Sequence, residues 1–88
     1  MADELRTDEY TISISREIVV CKNMIATATD RLARLEKRHG LTTADLLAGH
    51  QGQPHGAERD AWLEIHAGLL AWRQRLQEYE EAYRALKK

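Results

Sequence analysis

Residues 14–35, ISREIVVCKNMIATATDRLARL, carry an apolar residue at every third or fourth position. Ile14, Ile18, Cys21, Ile25, Ala28, Leu32 and Leu35 are spaced 4, 3, 4, 3, 4 and 3. That spacing places all seven on one face of an α-helix as an unbroken seam. The helix is expected to start near Ser13 or Ser15, where a serine oxygen can cap free amides. It should run to about His39. Lys37, Arg38 and His39 then occupy its last turn, next to the negative end of the helix dipole, and Gly40 supplies the left-handed cap.

Upstream lies a polar N-terminal segment, residues 1–12, of which the acidic residues 1–10 are expected to fray. Within YTISIS, residues 10–15, Tyr10, Ile12 and Ile14 alternate with Thr and Ser. Period two is a strand signal, so a short edge strand pairing with another chain stays open as the alternative to early helix.

A second seam answers the first. Trp62, Ile65, Leu69, Trp72, Leu76, Tyr79, Tyr83 and Leu86 are spaced 3, 4, 3, 4, 3, 4 and 3. This helix should begin near Ala57 or Glu58, with Glu58 and Asp60 in a first turn that favours acidic groups. Between the long helices, LTTADLLAG (residues 41–49) predicts one short helix. Thr42 can cap it with Asp45 three residues on, Leu41 and Leu46 can staple it, and Gly49 stops it. Leu46 and Leu47 should cover the end of the core. The stretch GHQGQPHG, residues 49–56, is turn chemistry. The fold class is therefore all-α: an antiparallel two-helix hairpin with a short connecting helix, in a single domain spanning residues 13–88.

Composition narrows the function classes. At 88 residues one core is marginal alone, and association often completes it. Hydrophobic residues make up 43% and charged residues 31%, which suits amphipathic helices and not disorder. The net charge of −1 gives no global field to steer the chain to nucleic acid or anionic lipid. The longest apolar run, Ile18 to Cys21, is far too short to span a bilayer. One cysteine, Cys21, cannot form an internal disulfide, and MADELRTDEY does not read as a secretory leader. A cytoplasmic protein is expected, bound to neither membrane nor nucleic acid.

Catalysis and metal binding find little support in the residues. His39, His50, His55 and His66 are the candidate ligands of a small metal- or ligand-binding bundle, the alternative functional reading. Zinc wants three or four ligands converging at about 2.0–2.3 Å, often at short fixed spacing. His50 and His55 stand in a loop, no HxxxH pair shares a helix, and no CxxC or ExxH accompanies them. Cys21 in the seam reads as a small buried hydrophobe. Arg31, Arg34, Lys37, Arg38 and His39 form a basic stripe interrupted by Asp30 and Glu36, with Arg73 and Arg75 on the other helix. That is weaker clustering than a DNA reader shows. We expect no enzyme activity, no catalytic residue, no metal and no cofactor.

What remains is apolar surface that the hairpin does not use. Val19, Val20 and Met24 lie off the first seam, and Leu63, Ala67 and Leu70 lie off the second. The short helix could cover Leu63 and Leu70 but cannot reach the other three. Gly68, at about 1 kcal/mol against alanine inside a helix, marks with Ala61, Ala67, Ala71 and Ala82 a flank that another helix could approach closely. These residues are the candidate partner-binding surface. A second copy covering it would give a homodimeric four-helix bundle, and a different protein is the other candidate partner. Trp62, Trp72, Tyr79 and Tyr83 are expected to anchor the fold.

A resemblance points the same way. HGLTTADLLAG, then a glycine-bearing loop, then RDAWLEIHAGLLAWRQRLQEYEEAY resembles small helical bacterial proteins encoded beside a toxin-like protein. Over residues 30–80, Trp62 and Glu64 match the place where a Trp opens the last helix of that family. The family's loop often carries more acidic residues, where this chain has HQGQPH. The resemblance implies a protein-binding, antitoxin-like role in the bacterial cytoplasm and brings no catalytic residues with it.

Overall fold

The computed structural model describes residues 2–49 and 52–86, with side chains from residue 9 onward. It contains three helices: α1, Ala2–His39; α2, Thr43–Ala48; and α3, Ala57–Leu86. The two long helices pack against each other as a hairpin, and no strand occurs among the described residues. The molecule is a rod of 63 × 18 × 17 Å. Its radius of gyration is 18.2 Å, against about 12 Å for a compact domain of this length.

The N-terminal boundary differs from expectation. α1 does not begin at Ser13 or Ser15 but runs through residues 2–12, and YTISIS is helix throughout. No glycine or proline interrupts the chain before Gly40. Helical geometry also splits the alternating residues. Tyr10 and Ile14 are four apart and share a face, whereas Ile12 points away and is 53% exposed.

At the other end the sequence signals hold. Gly40 is left-handed at φ 67°, and its N–H donates to Glu36 O at 2.9 Å. Thr42 caps α2: its Oγ1 accepts from Asp45 N at 3.0 Å, while Asp45 Oδ2 accepts from Thr42 N at 3.1 Å. Gly49 closes α2 at φ 81°. Leu46 is fully buried, but its neighbour Leu47 faces solvent at 52% exposure. Consecutive helical residues lie about 100° apart, so both could not point into one small core.

The core is thin. Leu32, Leu46, Trp62 and Leu69 are buried in one cluster, with Ile25, Ala28, Leu35, Leu41, Leu63 and Ile65 half-buried around it. Ile14 and Cys21 are buried further along the rod. The rest of both seams, including Ile18, Trp72, Leu76, Tyr79 and Tyr83, is only half-buried. Two helices cover each other along one line and leave both sides of it open.

Candidate interaction surface

The elbow is the best-determined polar site. Trp62, fully buried, donates from Nε1 to Thr43 Oγ1 at 3.0 Å. Thr43 N donates to Glu36 Oε2 at 2.7 Å, so the Glu36 side chain ties α1 to α2, while its carbonyl accepts from Gly40 N and Leu41 N of the connector. The His39 ring lies 5.4 Å from Trp62, centroid to centroid, tilted by 33°. Its Nε2 stands 2.9 Å from Glu58 Oε1 in a contact that lacks hydrogen-bond geometry, so it is an ion pair only when the ring is protonated. These groups are consumed in holding three helix ends together. The sequence flagged Trp62 but not Thr43 as its partner, although a buried indole N–H calls for one.

The histidines do not gather. His39 is at the elbow, His66 is half-buried on α3, and the exposed His55 ring lies 3.5 Å from Gln53 O. His50 lies outside the described residues. No group of three or more His, Cys, Asp or Glu capable of holding a metal ion occurs among the described residues. The Cys21 thiol is free and fully buried. Burial pushes its pKa up, Glu17 adds to the rise, and Arg75 partly opposes it. A nucleophilic thiol needs the opposite environment.

The apolar residues proposed for partner binding divide between two flanks of the hairpin. Val19, Val20, Met24 and Leu70 are exposed at 41–56%, and Ala67 is exposed as well. Leu63 is half-buried against the core cluster. Leu70, two turns further along, is beyond the reach of the six-residue α2 and stays open. At 100° per residue, Val20 and Met24 are about 40° apart, but Val19 is about 140° from Met24. Leu63 and Leu70 are about 20° apart and face away from Gly68.

Shallow grooves mark the two flanks. On one, Met24, Thr27 and Arg31 of α1 meet Ile65, Gly68 and Trp72 of α3. The same flank continues towards the elbow between Arg31, Arg34, Arg38 and Ile65. Towards the open end it continues between Tyr10, Glu17, Glu78, Tyr79 and Ala82. A Cβ built on Gly68 would meet nothing within 4 Å, so this flank is unfilled where the glycine sits. On the opposite flank, Ser15, Ile18 and Lys22 meet Glu80, Tyr83 and Arg84.

No described helix is long and apolar enough to cross a membrane. No family model matches the chain, and no curated protein and no solved structure is significantly similar to it.

Proposed function

We propose that the chain is a non-enzymatic protein-interaction module, a half-bundle that completes its core by binding a second copy of itself. One observation carries the reading. Among the described residues, six apolar ones are buried, while seven large hydrophobic ones are exposed, from Tyr10 and Ile12 through Val19, Val20 and Met24 to Leu47 and Leu70. The chain exposes 6714 Å², where a compact monomer of its mass exposes about 5,300 Å². The excess, about 1,400 Å² per chain, is larger than the roughly 800 Å² that each partner loses in a standard interface. Exposed apolar residues in this number suit interaction sites.

The Gly68 flank supports self-association, since an open glycine lets a second helix come close. Val19 and Leu70, on the opposite flank, remain for a second protein, and masking such a partner would be an antitoxin-like role. Sedimentation equilibrium of the purified chain at increasing concentration tests the reading. A species of twice the chain mass is expected. A monomer at every concentration would rule out self-association.

A further inference from the structure

The Gly68 flank carries a charge pattern that is complementary to itself. Along α1 its exposed residues recur every seven positions as Tyr10, Glu17, Met24, Arg31 and Arg38. Glu17 shares the open-end groove with Glu78, so that end is acidic. Arg31 and Arg38 line the elbow-end groove, which is basic; Arg34 beside them is already paired with Asp30 at 2.8 Å. Between the two ends lie Val20, Met24, Trp72 and Gly68, with Arg75 folded over Trp72.

We infer that a second copy docks on this flank about a two-fold axis at Met24, with the two α1 helices antiparallel and Glu17 of each copy against Arg31 of the other. The inference rests on the self-association proposed above and specifies its face and register. Glu17 and Arg31 are each seven residues from Met24, about 10.5 Å along the helix. A two-fold axis through Met24 therefore brings them opposite one another, twice. Tyr10 and Arg38, fourteen residues away on either side, meet in the same way.

α3 obeys the same axis. Trp72 shares a groove with Met24 and is level with the axis, while Arg75 lies about one turn towards the open end, where its charge acts on Cys21. Arg75 itself folds over Trp72, its guanidinium carbon 5.0 Å from the ring centroid. An interface that repeats itself in this way is isologous, as two-fold symmetry requires.

Charge reversal tests the register. Glu17→Arg and Arg31→Glu, each exposed and outside the core, turn two attractions into two repulsions. Each single change should weaken the dimer by about tenfold, and the double change should restore it to within about threefold. Lys22→Glu on the opposite flank should leave the dimer unchanged. Should the wild type be a dimer that both single reversals leave intact, or that Lys22→Glu weakens equally, this register is wrong while self-association stands. Should the wild type be a monomer throughout, both ideas fall.

Discussion

Trp62 and Thr43 are nineteen residues apart and are joined inside the elbow by a 3.0 Å hydrogen bond from the indole Nε1 to the threonine Oγ1. Both residues are buried. Trp62 fills the space where α1, α2 and α3 converge, and Thr43 makes that filling possible without leaving an indole N–H unpaired.

Thr43→Val keeps the shape of the side chain and removes the acceptor. A buried donor without a partner costs about 1–3 kcal/mol. Thr43→Ser keeps the hydroxyl and should cost less. Urea unfolding followed by helical circular dichroism, at one fixed protein concentration, should rank the wild type above Ser and Ser above Val. Equal midpoints for Ser and Val would mean that the bond contributes nothing.

Both seams were legible because helical spacing is a local property: Ile14 to Leu35 and Trp62 to Leu86 state which side chains align whatever else happens. The elbow was legible for a similar reason, since Thr42, Asp45, Gly40 and Gly49 act within one turn of themselves. Thr43 was not, because its role depends on a residue from another helix. The partner-binding residues were legible one by one as apolar and off the seam. Whether they form one surface depends on their angular order, and that separates Val19 and Leu70 from Val20 and Met24. The start of α1 was missed because Ser13 and Ser15 can cap a helix or simply sit inside one.

Cys21 gives the chain a pH dependence of defined sign. Its pKa is raised in the folded chain, by burial first and by Glu17 second. Below about pH 8.5 both states hold the thiol proton, and the contribution is complete. Above that the unfolded chain loses its proton first and so binds fewer protons than the folded chain. Stability therefore falls as pH rises through the folded pKa. The decline between about pH 8 and 10 should be shallower in Cys21→Ala than in the wild type. A thiol reagent should modify native Cys21 far more slowly than Cys21 in urea. Identical slopes would show that the thiol does not feel its surroundings.

Gly68→Ala should act in two directions. The new methyl meets nothing within 4 Å in the single chain, so helix propensity alone decides, and the dilute monomer should gain about 1 kcal/mol. In the proposed dimer the same methyl enters the groove that the second copy covers, and association should weaken. Urea unfolding at low concentration and sedimentation at high concentration measure the two effects separately. A variant that is both more stable and equally associated would place Gly68 away from the interface.

Met24→Asp and Val19→Asp separate the two flanks. Both residues are exposed, at 41% and 56%, so a carboxylate at either position remains solvated in the single chain and should change its stability by less than about 0.5 kcal/mol. Their directions differ by about 140°. On the proposed axis, Met24→Asp places two carboxylates against each other at the centre of the interface, and the desolvation cost falls on both at once. Val19→Asp points at solvent in the dimer as it does in the monomer. Sedimentation should therefore show a monomer for Met24→Asp and a dimer for Val19→Asp, with matching circular dichroism for both. The reverse outcome would move the self-association surface to the opposite flank, beside Lys22 and Tyr83, and leave the Gly68 groove for the second protein.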